Sequence, residues 1–165
     1  MKAVPARTKI SSLRELARRV ARARRAGERI VFTNGCFDLL HVGHVRCLEE
    51  ASRLGDRLIV AIDRDADVRA AKGAARPILP LRERMEIVAS LGCVDWVVAF
   101  GGGSPIRLIR TLEPDVLVKG EDWPLEAIVG REEVEARGGR VVRLQVVPGR
   151  RSTRLIEAIR RGRRD

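Results

Sequence analysis

The stretch Thr33-Asn34-Gly35-Cys36-Phe37-Asp38-Leu39-Leu40-His41-Val42-Gly43-His44 is the most informative part of the sequence. The run at residues 29–32 leads into it as a buried strand would, and residues 45–51 leave it with the apolar spacing of a helix. The stretch is therefore predicted to form a strand-to-helix turn. Such a turn gathers backbone N–H groups and the positive end of a helix dipole at one point, which favours the binding of phosphate.

Two glycines and two histidines of this turn suit a phosphate site. Gly35 and Gly43 have no Cβ, so a phosphate or another backbone segment can approach them closely. His41 and His44 are three residues apart, on one face of the first helical turn, where both imidazoles can donate hydrogen bonds to phosphate oxygens. Metal ligation by the pair is the alternative, although zinc needs a third protein ligand and the nearest candidates precede the histidines on the turn.

The charge of the chain is unevenly distributed. The 165 residues carry a net charge of +11, and the excess lies in residues 1–29 and 150–165, whereas the body between them is slightly acidic. With two Trp, three Phe and no Tyr, the chain also offers few side chains for stacking on bases. No specific nucleic-acid partner is therefore expected.

The length and the cysteine pattern indicate a single intracellular domain. No apolar run is long enough to cross a membrane, and the basic N-terminus lacks the apolar segment of a signal peptide, so we expect a cytoplasmic protein with no membrane partner. Cys36, Cys47 and Cys93 are too few and too widely spaced for a disulfide framework or a zinc cluster. Residues 1–28 are expected to form a basic helix packed on the body, and residues 29–165 to form that body.

Apolar runs alternate with helical patterns along the body. After the first strand, further strands are predicted at residues 57–62, 94–100, 115–118 and 140–144. Helices are predicted at residues 13–26, 45–54, 80–91, 105–112, 131–137 and 153–161. This alternation implies right-handed crossovers between parallel strands, so the expected fold is α/β, a single Rossmann-like, doubly wound, five-stranded parallel sheet with helices on both faces.

Polar residues follow the second predicted strand, at the edge where open α/β sheets bind ligands. Asp63 and Asp65 are placed to face this crevice, with capping of the next helix as the alternative for the aspartates here. Lys72 and Arg76 belong to a predicted basic loop that leaves this strand. The loop suits the β- and γ-phosphates of a nucleotide, and a plain surface loop is the alternative.

Two further polar groups lie later in the chain. Residues 119–123 form a cluster at the carboxyl end of the fourth predicted strand. Ser152 and Thr153 open the last predicted helix, and both are ordinary N-cap residue types. With Arg154 beside them they also mark a second anion site.

The His-Val-Gly-His sequence at residues 41–44, followed in order by Ser152-Thr153, resembles the nucleotidyltransferase superfamily that carries a His-x-Gly-His motif and a Ser-Thr signature. Within it, residues 9–159 are similar to the D-glycero-β-D-manno-heptose 1-phosphate adenylyltransferases, also called ADP-heptose synthases. Asp63 stands where those enzymes usually have asparagine, and Arg154 where they usually have a second threonine. The similar segments are residues 33–38, 54–56, 72–73, 76–77, 94–95, 114–120 and 138–139.

The resemblance implies transfer of AMP from ATP to a sugar 1-phosphate, giving ADP-heptose and pyrophosphate for lipopolysaccharide or another heptose-containing glycan. It implies a nucleotidyltransferase domain at residues 29–165 without a fused kinase, Mg²⁺ held mainly through the phosphates rather than by protein ligands, and a homodimer. A cytidylyltransferase acting on an alcohol phosphate such as glycerol 3-phosphate is the first alternative. A non-catalytic nucleotide-binding module is the second.

The resemblance also implies roles for individual residues. The catalytic residues would be His41 and His44 on the transition-state phosphates and Lys72 on the triphosphate. The nucleotide-binding residues would be Asn34, Gly35, Cys36, Phe37, Gly43, Lys119, Gly120, Ser152, Thr153 and Arg154. The acceptor-binding residues would be Asp38, Asp65, Arg76, Asp122 and Trp123. For Asp38 the other expected role is to orient its neighbours.

Overall fold

A five-stranded sheet forms the centre of the molecule, which the computed structural model describes over residues 4–145 and 152–162. Every neighbouring pair of strands is parallel. The strands are β1 (Ile30–Gly35), β2 (Arg57–Asp63), β3 (Trp96–Phe100), β4 (Val116–Gly120) and β5 (Arg140–Leu144). Their order across the sheet is β3-β2-β1-β4-β5. The chain thus winds outward from β1 in both directions, and the predicted doubly wound parallel sheet is confirmed.

Helices cover both faces of the sheet. Within the described residues they are α1 (Ala6–Lys9), α2 (Leu13–Arg25), α3 (Val42–Ser52), α4 (Asp65–Lys72), α5 (Leu81–Ser90), α6 (Ile106–Leu112), α7 (Arg131–Glu135) and α8 (Ser152–Arg160), with a 3-10 turn at Leu125–Ala127. None of these helices is both long and apolar enough to cross a bilayer. The very short α1 and the 3-10 turn were not predicted, because four or three residues carry too little periodic signal.

The core lies on both sides of β1, because successive side chains of a strand point to opposite faces. Phe32 packs in one apolar cluster with Leu16 of α2 and with residues of α6 and α7. Val31 packs in the other cluster with Leu48 of α3 and Val88 of α5. Burial on both faces explains why the central strands read as nearly continuous apolar runs.

The helix α2 packs on the sheet as expected. The Ser12 hydroxyl oxygen accepts the backbone N–H of Glu15 at 3.3 Å, which caps the helix, and Leu16, Val20 and Ala23 of its apolar stripe are buried. The division of the chain into residues 1–28 and 29–165 stays a prediction.

The segment after β2 differs from its prediction. Lys72 and Arg76 were expected to lie in a basic loop, but residues Asp65–Lys72 form α4, so Lys72 is the last residue of that helix and only Arg76 lies in the loop that follows. Asp65 and Asp67 lie in the first turn, where carboxylates favour the positive end of the helix dipole, and Val68 is buried under the helix. The aspartates therefore begin a helix as well as end a strand.

Candidate functional site

The carboxyl ends of β2, β1 and β4 lie side by side at one edge of the sheet. Gly35 of β1 is opposite Ile62 of β2, and Thr33 is opposite Val118 of β4. The residues that continue each strand beyond these pairs therefore meet at this edge. The winding direction reverses between β1 and β4, which is the position where open α/β sheets form a ligand crevice.

The histidine turn connects β1 to α3. His41 is the N-cap of α3, and the His44 Nδ1 atom accepts the His41 backbone N–H at 3.4 Å. The two imidazole rings stack with their centroids 3.9 Å apart, and the Phe37 ring lies 5.4 Å from that of His44. Phe37 has a φ of 46°, a left-handed conformation that is uncommon outside glycine. The predicted strand-to-helix turn is thus present, with both histidines on one side of it.

His44 is neutral at physiological pH in this environment. Burial, together with the positive charges of His41 and Lys72, lowers its pKa to about 4. Because Nδ1 accepts a backbone N–H, the single proton of the neutral ring is on Nε2. The Nε2–H group is then the donor that His44 offers to a ligand. Lys72, on the exposed end of α4, is close enough to influence this pKa.

The carboxylate of Asp38 is buried and bonded to the chain itself. It accepts the Arg76 Nε–H at 2.6 Å and the backbone N–H groups of Ile78 and Leu79 at 2.8 and 2.9 Å. Burial raises the pKa of Asp38, but the two backbone donors and Arg76 outweigh that effect and hold the pKa below its ordinary value. The carboxylate thus holds residues 76–79 against the turn, and both expected roles of Asp38, acceptor binding and orientation of its neighbours, stay predictions.

Arg84 is a further residue of the site that the sequence analysis did not select. Its side chain is 0% exposed and donates hydrogen bonds to the carbonyl oxygens of Cys36, of Asp63 at 2.7 Å and of Leu79 at 3.1 Å. It also pairs with the Asp65 carboxylate at 2.6 Å. Arg84 thereby joins the turn after β1, the end of β2, the start of α4 and the segment before α5. An arginine on the apolar side of a helix was the available signal, since arginine is almost never fully buried unless paired.

The fourth strand brings Lys119 to the crevice. Its ammonium group lies 5.5 Å from the centre of the Trp123 ring, and burial lowers its pKa to about 8, an effect that Asp63 partly opposes. Trp123 is 51% exposed, and its carbonyl accepts Arg143 Nη1 at 3.3 Å. Asp122 is exposed on the same connection.

The last helix reaches the histidine turn. The Ser152 hydroxyl, in the first turn of α8, donates a hydrogen bond to the Leu39 carbonyl at 2.8 Å. The N-terminal end of α8 therefore lies against the segment that leads into α3, whose own N-terminal end carries the histidines. Thr153 and Arg154 follow on the exposed side of α8.

The predicted site residues thus fall into two groups. The crevice edge and the histidine turn hold Asn34, Gly35, Cys36, Phe37, Asp38, His41, Gly43, His44, Asp65, Arg76, Lys119, Gly120 and Ser152. The exposed rim holds Lys72, Asp122, Trp123, Thr153 and Arg154. Within the ranges 4–145 and 152–162, no group of three or more His, Cys, Asp or Glu side chains is arranged to hold a metal ion. The individual binding roles stay predictions.

A crevice at the switch point of a doubly wound sheet, bordered by the N-terminal ends of two helices and by histidine and lysine side chains, is typical of a nucleotide-binding α/β protein. Comparison with known proteins specifies the class: the chain belongs to the cytidylyltransferase-like family, whose model matches residues 32–157.

Among similar proteins, the bifunctional protein HldE of Citrifermentans bemidjiense is 53% identical over 152 residues, which cover 92% of this chain and 31% of that protein. The HldE protein of Proteus mirabilis is 52% identical over 147 residues, covering 89% of this chain and 31% of that protein. The chain thus spans about a third of the length of these curated relatives.

Two solved structures are also similar. The lipopolysaccharide core biosynthesis protein of Thermoplasma volcanium has a TM-score of 0.60 at 26% identity, over 73% of this chain and 98% of that one. Pantothenate synthetase of Thermus thermophilus has a TM-score of 0.60 at 18% identity, over 84% of this chain and 62% of that one, and this likeness concerns the fold.

Proposed function

We propose that the chain is a nucleotidyltransferase that transfers AMP from ATP to D-glycero-β-D-manno-heptose 1-phosphate, giving ADP-heptose and pyrophosphate for the synthesis of lipopolysaccharide or a related glycan. The observation that carries the proposal is the stacked pair His41 and His44 at the N-terminal end of α3, against which α8 is held through Ser152. The choice of substrates is supported by the sequence resemblance and by about 50% identity to HldE proteins over most of this chain.

The reaction requires positioning and charge stabilisation more than proton transfer. An oxygen of the acceptor phosphate attacks the α-phosphorus of ATP, the new O–P bond forms, and the bond to the β-phosphate oxygen breaks with release of pyrophosphate. A phosphate group has a second pKa of about 6, so at neutral pH the nucleophile is already deprotonated and needs no general base. The neutral His44 fits this chemistry, because its Nε2–H donates a hydrogen bond without exchanging a proton.

Mg²⁺ is proposed to accompany ATP, where it would neutralise negative charge on the phosphates. The side chains proposed to meet phosphate are imidazole, ammonium and hydroxyl donors, whereas the carboxylates of Asp38 and Asp65 are already paired with arginines. Such a set suits phosphate oxygens, whereas Mg²⁺ prefers carboxylates, phosphates and water. The ion would therefore be held mainly through the nucleotide.

Homodimer formation and a cytoplasmic location are likewise proposed from the sequence.

The charge of Lys119 gives the proposed nucleotide site a pH dependence. Its pKa of about 8 means that the ammonium form predominates at pH 7 and is lost as the pH rises toward 9. We expect the KM for ATP to rise about tenfold over that range, because a charged hydrogen bond to the nucleotide disappears. Lys119→Met should show the weaker affinity already at pH 7 and a flat profile, whereas Lys119→Arg should keep its charge throughout. Equal pH dependence in the wild type and Lys119→Met would contradict this assignment.

Pyrophosphate release tests the proposed function. The wild-type protein is assayed with ATP, CTP and GTP, each against heptose 1-phosphate and glycerol 3-phosphate, with Mg²⁺ present. We expect turnover with ATP and heptose 1-phosphate to exceed that of every other pair. A preference for CTP with glycerol 3-phosphate would identify the alternative cytidylyltransferase, and absence of turnover with all six pairs would reject the proposal.

A further inference from the structure

Asp63 differs from Asp38, Asp65 and Asp67 in that its carboxylate has no hydrogen-bond or ion-pair partner within the described part of the chain. Asp38 binds Arg76, Asp65 binds Arg84, and Asp67 accepts the backbone N–H groups of Gly102 and Gly103 at 3.1 and 2.8 Å. The backbone carbonyl of Asp63 accepts Arg84, but its half-buried carboxylate has no hydrogen bond or ion pair with any residue in 4–145 or 152–162.

Asn34 presents a second acceptor of the same kind. It is the fifth residue of β1, and its side-chain oxygen is buried without a hydrogen-bond partner within the described ranges. A buried acceptor that lacks a donor is unfavourable, because it has lost its hydrogen bonds to water. This cost is recovered when a ligand supplies the donor.

The alternation of side chains along the strands places both acceptors on one face of the sheet. Phe32 of β1 and Ala61 of β2 belong to the same apolar cluster, and Asn34 and Asp63 each lie two residues further along their strands. Lys119 lies two residues beyond Leu117 of that cluster, on the neighbouring strand β4. Burial raises the pKa of Asp63 and the charge of Lys119 partly offsets this rise, so the two groups are close.

The chemistry of this pair selects its ligand. A carboxylate repels phosphate groups, which the donors of the histidine turn attract instead. Two acceptors on one face of neighbouring strands, offset by two residues in register, match two hydroxyl groups of one sugar ring, each of which has one proton to donate. Asp63 and Asn34 lie at the same edge of the crevice as the histidine turn. The hydroxyl groups that they bind would therefore belong to the nucleotide or to the acceptor whose phosphates meet that turn.

We propose that Asp63, together with Asn34, binds two adjacent hydroxyl groups of a sugar ring and selects substrates that carry them. This inference rests on the proposed nucleotidyltransferase function. The ring belongs either to the acceptor sugar phosphate or to the ribose of ATP, and the hydroxyl chemistry is the same in both. Asp63 is then a specificity-determining residue for the reaction.

The test compares Asp63→Ala with the wild type in steady-state assays of pyrophosphate release, using ATP, 2′-deoxy-ATP and heptose 1-phosphate. Asp63→Asn, which introduces the residue usual in the similar enzymes and keeps one oxygen acceptor, should lie between the two. If Asp63 binds hydroxyl groups of the acceptor, its removal should raise the KM for heptose 1-phosphate by about 10- to 100-fold and leave the KM for ATP unchanged. If Asp63 binds hydroxyl groups of the ribose, its removal should raise the KM for ATP to a similar extent and abolish the discrimination against 2′-deoxy-ATP. Either result supports the inference.

Three results would overturn it: changes of less than twofold in every KM, equal weakening of ATP and 2′-deoxy-ATP, or a change confined to the Mg²⁺ requirement. Glu132→Gln, which neutralises an exposed carboxylate on α7, serves as the matched control and should leave all constants unchanged. If the wild type releases no pyrophosphate, the proposed function fails, but calorimetric titration of wild type and Asp63→Ala with ATP and with heptose 1-phosphate still tests the hydroxyl site.

Discussion

His44→Ala is expected to lower kcat by about 10²- to 10³-fold while the fold remains intact. The substitution removes the Nε2–H donor that we propose acts on the α-phosphate as negative charge develops there. The fold depends little on this ring, since its Nδ1 atom accepts only a long 3.4 Å hydrogen bond from the His41 N–H and the ring stacks on that of His41. Steady-state kinetics of pyrophosphate release, with far-UV circular dichroism to verify the helix content, measures both effects.

Arg46→Ala is the matched control for this variant. Arg46 is exposed on the same helix, two residues and therefore about 200° from His44 around the helix axis, so it faces away from the histidine pair. The kcat of Arg46→Ala should equal that of the wild type. His44→Gln should recover part of the activity, because an amide N–H can take the place of the imidazole N–H. Near-normal turnover of His44→Ala would reject the role assigned to His44.

Arg84→Ala is expected to lower the free energy of unfolding by about 3 kcal/mol, because it removes a buried cation that serves three carbonyl acceptors and one partly exposed carboxylate. The change leaves the Asp65 carboxylate without its cation and the carbonyl oxygens of Cys36, Asp63 and Leu79 without their donor. Urea unfolding at pH 7, followed by circular dichroism, measures the destabilisation.

Arg82→Ala provides the comparison for Arg84, because Arg82 is an exposed arginine of the same helix with no ion pair in the described part of the chain. Arg82→Ala should change the free energy of unfolding by no more than about 0.5 kcal/mol. Arg84→Lys should fall between the two, since an ammonium group keeps the charge but cannot reach the same set of acceptors in a planar fork. A decrease below about 1 kcal/mol for Arg84→Ala would show that the network around it contributes little to stability.

The two largest predicted effects concern neighbouring parts of one structure. His44 acts at the surface of the turn, where it would meet the nucleotide, whereas Arg84 lies beneath the same turn and holds the Cys36 carbonyl. Asp38 secures the other side of that turn through Arg76 and the backbone of Ile78. A turn fixed from both sides keeps its donors at defined positions before the substrates arrive, which is the property that electrostatic catalysis requires.

Local patterns along the chain are sufficient to predict the fold class and the position of the turn. Continuous apolar runs predicted the five parallel strands, and the glycines and histidines of residues 33–44 predicted the strand-to-helix turn, because these signals arise from neighbours along the chain. The cap at Ser12 and the buried stripe of α2 are local in the same sense. The structure agrees with each of them.

Contacts between distant elements determine which polar groups pair with one another and which have no partner among the described residues. The contact between Arg84 and Cys36 joins residues 48 positions apart, and that between Asp38 and Arg76 joins residues 38 positions apart. No local pattern encodes contacts over such distances along the chain. Once these pairs form, the carboxylate of Asp38 is occupied and that of Asp63 has no described partner, although the two residues look equivalent in sequence. The physical reason is that the periodicity of apolar residues specifies which face of an element is buried, whereas hydrogen-bond partners are specified only when distant elements meet.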